Sequence, residues 1–174
     1  LLPRGGLVWI DEPTYNEHRP AWEAAGHQVI TGDVNLGEAQ SAVIVAPNNP
    51  TGKFVHDAIM ATAKQTAATG GIMLIDGAFA MPAAADPAAS DLLGALVAFP
   101  HVVHIRSFGK FFGMAGLRLG FAIGAAVHMD QLQRCVGPWA VSSVALDIGN
   151  TALNDTAWQA QHSQFLRQQT EQLQ

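Results

Sequence analysis

Short apolar runs at residues 7–10, 28–30, 42–46, 72–75, 102–105 and 119–123 recur along the chain, each bounded by turn-forming residues. Several are continuously apolar rather than alternating, as expected of strands covered on both faces. Between them, residues 17–25, 56–68 and 91–98 have helical composition, and three further helices are predicted at 128–135, 141–153 and 157–173. Gly26, the pair Gly70-Gly71 and Pro100 supply stops. The alanine-rich stretch 78–89 reads as a loop leading into the next helix. Strands that alternate with helices predict an α/β domain, a three-layer α/β/α arrangement around a mostly parallel sheet. In such a sheet the ligand sits in the loops beyond the carboxyl ends of the strands.

Composition sharpens this picture. The 174 residues are 49% hydrophobic and 13% charged, which makes the chain globular and long enough for one domain with a real core. A formal charge of -5 and a pI near 5.7 leave no basic footprint for nucleic acid. No Lys/Arg cluster suits an anionic membrane, and no apolar run reaches the roughly 18–20 residues that span one. The lone cysteine, Cys135, has no internal partner for a disulfide, so a reducing, cytoplasmic setting is expected. Cys135 itself is expected to be a small buried hydrophobe. The opening Leu1-Leu2-Pro3-Arg4-Gly5-Gly6 reads as the end of a helix and a turn. The far end, from Thr156 to Gln174, is a polar helix without a stop signal. Both ends are therefore expected to be cut from a longer protein.

Four segments that carry chemistry each follow a predicted strand: Glu12-Pro13-Thr14-Tyr15, the run Ala46-Pro47-Asn48-Asn49-Pro50-Thr51-Gly52, Ile75-Asp76-Gly77-Ala78-Phe79, and the stretch from Ser107 through Lys110 and Arg118 to Gly120. A parallel sheet gathers all four at one edge. A lysine in a glycine-flanked loop can condense with an aldehyde. An aspartate can hold a pyridine nitrogen protonated, arginine with a serine hydroxyl can clamp a phosphate, and a tyrosine ring can stack on a flat cofactor. An asparagine amide can donate to a ring hydroxyl. The histidines His18, His27, His101 and His104 show no metal-ligand spacing, and no metal is expected; His101 and His104, flanking a strand, read as packing residues.

At these residues the chain resembles the class I/II aminotransferase family, pyridoxal-phosphate enzymes of fold type I. The serine lies three residues before the lysine, the arginine eight after, and Asn-Pro-Thr-Gly and the aspartate precede them in order. The resemblance implies pyridoxal 5′-phosphate as cofactor and Lys110 as the lysine that forms the Schiff base and shuttles protons. By the same resemblance Asp76 pairs with the pyridine nitrogen, Asn49 with the ring hydroxyl, Tyr15 stacks on the ring, and Ser107 and Arg118 bind the phosphate. Within the family, Pro13 to His18, Ala21 to His27, Arg106 to Gly113 and Gly137 to Ser142 resemble the threonine-phosphate decarboxylase branch, itself close to the histidinol-phosphate aminotransferases. Phe79 suits that branch, where many aminotransferases have a tyrosine. Gly77 departs from it, because an acidic residue commonly follows the aspartate there.

The resemblance implies residues 1–150 as most of a cofactor-binding large domain and 151–174 as the start of the helix leading to a C-terminal small domain. It also implies a phosphorylated amino acid as substrate and a homodimer for the full-length protein. The segments that choose which substrate bond breaks are expected outside these residues. Decarboxylation, transamination of a phosphorylated amine, and a catalytically silent ligand-sensing module or inactive fragment therefore all remain open at this point.

Overall fold

The computed structural model describes residues 5–32, 36–81, 87–96 and 98–172. Its centre is one six-stranded sheet in the order β2-β1-β3-β4-β5-β6. The strands are β1 (Leu7–Ile10), β2 (Gln28–Thr31), β3 (Ser41–Val45), β4 (Met73–Asp76), β5 (Val102–Ser107) and β6 (Gly120–Gly124). The first five run parallel, and β6 turns back antiparallel on β5, with Ser107 opposite Gly120. The chain goes outward from β1 to β2 and then returns past β1 to build β3, β4 and β5 on the other side. That reversal is a topological switch point, where open α/β sheets place ligands.

Alternation along each strand splits the core into two faces. Trp9, Ala42, Ile44, Met73 and Ile75 point to one side and pack with Ile59 and Ala63 of α2 (His56–Thr69) and Leu92 and Leu96 of α3 (Pro87–Leu96). Val8, Ile10 and Val43 point to the other and meet Trp22 of α1 (His18–Ala24). Strands apolar on both faces produce the continuous runs seen in the sequence. Three more helices follow β6: α4 (Ala126–Val136), α5 (Ser143–Asn154) and α6 (Thr156–Gln172). Among the described residues no helix is long and apolar enough to cross a membrane.

Local chemistry sets the boundaries. Helix α2 ends at Gly70, whose left-handed φ of 69° lets its N–H reach back to Thr66 and Ala67. Its neighbour Gly71 admits no side chain, because a Cβ there would overlap the backbone carbonyl of Gln40. Ser142 caps α5, its Oγ accepting from the Ala145 N–H at 3.1 Å.

Two expectations need correction. The stretch 78–89 is not a loop to its end, because α3 already begins at Pro87, a residue preorganised for a first helical turn; residues 82–86 lie outside the described residues. Cys135 is exposed rather than buried, since α4 contributes no buried residue to the described core. The reading of residues 1–6 as a helix end falls mostly on residues 1–4, also outside the described residues.

Candidate active site

Strand β4 ends on Asp76, whose carboxylate is buried, the residue being only 6% exposed. A buried charge needs partners, and Asp76 has two. Its Oδ1 accepts the Ala78 N–H at 2.8 Å, closing the turn after the strand, and its Oδ2 lies 2.9 Å from Nε2 of His18. A carboxylate has no proton to give, so His18 Nε2–H donates. Asp76 thus caps its turn and still presents a carboxylate fixed at the sheet edge.

His18 opens α1 and is itself buried. Tyr15, three residues earlier, meets the His18 ring edge-on at 5.6 Å and 87°, while about half of the tyrosine stays open to solvent. The segment after β1 therefore braces the aspartate from one side and offers a flat ring on the other.

The segment after β3 is tied to the one after β1 through Asn48. Its Oδ1 accepts from Thr14 Oγ1 at 2.7 Å, and its amide donates to Pro13 O at 2.9 Å and to Thr51 Oγ1 at 2.8 Å. Asn48 is buried, and this network leaves the adjacent Asn49 exposed at the same edge. Asn48 anchors the loop, and Asn49 beside it is exposed.

The lysine loop leaves β5 at Ser107, whose Oγ accepts the Gly109 N–H at 3.0 Å. A turn closes with Gly113 N–H to Lys110 O at 3.0 Å and Met114 N–H to Phe108 O at 2.9 Å. Lys110 is exposed, and its Nζ stands 4.9 Å above the ring of Phe79, three residues beyond Asp76. Phenylalanine offers the ammonium a π face and no hydrogen bond. Arg118 follows a short 3-10 turn (Ala115–Leu117) at a left-handed φ of 53°, and its Nη1 donates to Ala115 O at 3.0 Å. The antiparallel return that pairs Ser107 with Gly120 brings Arg118 back to the edge that bears Ser107.

All four predicted segments therefore meet at one edge. Thr14 and Pro13 join Asn48, His18 joins Asp76, and Phe79 joins Lys110. Sequence reasoning passed over His18 and Asn48. The available signals were local: His18 stands one helical turn beyond Tyr15, and Asn48 directly precedes Asn49.

Gly77 has a physical reason as well. A Cβ there would lie 3.1 Å from Cδ of Arg106, whose Nη2 donates to Ala80 O at 3.0 Å and Met81 O at 2.8 Å. A side chain at position 77 would crowd Arg106, whose burial holds the guanidinium below its usual pKa. Beside it a cleft of about 350 Å³ opens against the lysine loop, lined by Ser107, Phe108, Phe111, Phe112 and Phe121.

This edge can hold a flat, phosphorylated aldehyde. It carries an amine to bond the aldehyde, a buried carboxylate to keep a ring nitrogen protonated, and an open aromatic ring to stack on it. A hydroxyl and a guanidinium for a phosphate complete the set. Among the described residues no group of three or more His, Cys, Asp or Glu side chains could hold a metal ion.

The family profile for aminotransferase class I and II matches residues 1–174. A threonine-phosphate decarboxylase of Pseudomonas aeruginosa is 37% identical over 164 residues, which cover 88% of this chain and 47% of that protein. A histidinol-phosphate aminotransferase of Oleidesulfovibrio alaskensis is 33% identical over 137 residues, 78% of this chain and 36% of that protein. Among solved structures, the histidinol-phosphate aminotransferase of Sinorhizobium meliloti in complex with pyridoxal 5′-phosphate superposes with a TM-score of 0.70 at 20% identity, covering 94% of this chain and 48% of that one. The chain spans less than half the length of the curated relatives it matches.

Proposed function

Because the chain belongs to the class I and II aminotransferase family, we propose that it is the cofactor-binding part of a pyridoxal-phosphate lyase that decarboxylates L-threonine O-3-phosphate to (R)-1-aminopropan-2-yl phosphate. The observation that carries the cofactor reading is the buried Asp76 carboxylate, held by His18, one turn from the Phe79 ring under the Lys110 amine. The 37% identity to a threonine-phosphate decarboxylase over 88% of the chain supports the choice of reaction.

The residues divide the work. When bound, pyridoxal 5′-phosphate supplies a protonated pyridine that takes up the electron pair left by a departing carboxylate. Asp76 holds the proton on that ring nitrogen, and His18 keeps Asp76 in place. Tyr15 offers its face to the ring, and Asn49 donates to the ring hydroxyl, a task that falls to it because Phe79 has no donor. Ser107 and Arg118 bind the phosphate. Lys110 would hold the aldehyde, and its amine would be the group that delivers a proton to Cα.

Residues 1–150 form most of the large domain on this reading, and 151–174 lead toward a small domain. The full-length protein is a cytoplasmic homodimer. The rival is a histidinol-phosphate-type aminotransferase, favoured by 33% identity over 78% of the chain. Incubating the full-length protein with L-threonine O-3-phosphate separates them. Carbon dioxide release without any 2-oxo acid supports the lyase. Turnover that requires 2-oxoglutarate and releases no carbon dioxide overturns it.

A further inference from the structure

Glycines bracket the lysine, Gly109 before it and Gly113 after it at φ 68°, so the turn has little stiffness of its own. Beyond the hydrogen bonds that close the turn, its restraint is aromatic. Phe108, at the base of the loop and 2% exposed, stacks on Phe112 at 4.4 Å and 13°. Phe112 stacks in turn on Trp158 of α6 at 5.9 Å and 15°, and Trp158 on His162 at 4.7 Å and 14°. Phe111, only 7% exposed, stands roughly perpendicular to three neighbouring rings: Phe112 at 5.2 Å, Trp158 at 5.8 Å and His162 at 5.1 Å.

Trp158 and His162 are four residues apart, so one face of α6 presents both rings. That face is anchored elsewhere. Gln159 Nε2 donates to the carbonyls of Ala152 and Leu153 at the end of α5, and Ser163 Oγ lies 3.4 Å from Met81 Sδ. Both residues that follow Lys110 are therefore gripped by a helix about 50 positions downstream. The base of the loop is closed by the Met114 N–H to Phe108 O bond, and the rings on α6 hold its tip.

We propose that Trp158 and His162 are positioning residues for Lys110, their stacked rings clamping Phe111 and Phe112 so that the lysine backbone is held for its amine to meet the aldehyde. This rests on the cofactor role assigned to Lys110 above. Aromatic pairs of this geometry add enough beyond area burial to change an equilibrium by roughly threefold to tenfold per pair.

The test uses cofactor-free full-length protein mixed with pyridoxal 5′-phosphate, quenched with borohydride at intervals, and the adduct on the Lys110 peptide counted by mass spectrometry. Trp158→Ala is expected to slow adduct formation by about tenfold and to move the pH midpoint of the visible band of the bound cofactor. Trp158→Phe, which keeps a flat face, restores both; Trp158→Leu, which keeps apolar volume without one, does not. The leucine variant also stands in where the alanine variant fails to fold. Wild-type rate and midpoint in the folded Ala or Leu variant overturn the proposal, as does equal rescue by leucine and phenylalanine. An adduct in the unmodified protein on a lysine other than Lys110 fails the cofactor reading instead, so the two failures are distinct.

Discussion

Replacing His104 by leucine changes how stability depends on pH. His104 sits in the middle of β5, between Ile75 of β4 and Ile123 of β6, and is 5% exposed. Its Nε2 is buried without a hydrogen-bond partner among the described residues. Burial, with a smaller push from the Arg106 guanidinium, lowers its pKa from 6.5 to about 4. The folded protein therefore keeps His104 neutral over a range in which the unfolded chain has already taken up a proton. The stabilisation is complete above pH 6.5, declines as pH falls through 6.5, and is fully lost below about pH 4. At about 1.4 kcal/mol per pH unit, the span between the two pKa values corresponds to about 3 kcal/mol. Asp11, whose carboxyl is raised by burial against an opposing pull from Lys53, shifts the curve the other way, but equally in both proteins. Urea unfolding of the full-length protein and His104→Leu at pH 7.5, 6, 5 and 4 reads the difference directly. The leucine variant is expected to gain about 3 kcal/mol on the parent between the ends of that series. Two pH–stability curves that stay parallel within about 0.5 kcal/mol would refute the reasoning.

Other substitutions probe the site and its frame. His18→Leu leaves Asp76 Oδ2 without its donor, and losing a hydrogen bond to a charged group costs about 1.5–3 kcal/mol. The expected outcome is cofactor affinity weakened by about tenfold or more, read by fluorescence titration of the full-length protein; unchanged affinity counts against His18 as the brace of Asp76. Gly71→Ala drives a methyl into the Gln40 carbonyl, a backbone clash that no side-chain rotation relieves. Thermal unfolding should show a loss of about 3 kcal/mol or more, and a loss under about 1 kcal/mol would mean that the α2–β4 turn can shift away from Gln40.

Much of the fold was legible because periodicity carries it. The six apolar runs fall on the six strands, displaced by no more than a residue or two, and continuous apolarity announced the burial of the central strands β1, β3 and β4, while β6 is exposed along its length. Direction is another matter. The run that became β6 has no feature that distinguishes an antiparallel return from a parallel crossover, and only the short link from Ser107 through the 3-10 turn imposes the reversal. The four loop motifs could be assigned to one edge because parallel strands share their carboxyl ends. Their mutual contacts could not be read from sequence. His18 reaches Asp76 across 58 positions of chain, and the Phe111–Trp158 contact depends on how α6 returns over the lysine loop. Cys135 was misread because residue type alone does not say whether a helix face is covered, and among the described residues α4 buries none of its side chains. Gly77 remains a departure from the branch's pattern, and the Arg106 side chain lies against the position where its Cβ would be.

The central claim is that the Lys110 amine, above Phe79 and one short turn from the buried Asp76, is the group that bonds the cofactor aldehyde. Borohydride reduction of the full-length protein loaded with pyridoxal 5′-phosphate, followed by peptide mapping, tests it most directly. The adduct is expected on Lys110, with the visible absorbance band and the adduct both absent in Lys110→Ala. A reducible adduct and band that persist in that variant would contradict the assignment.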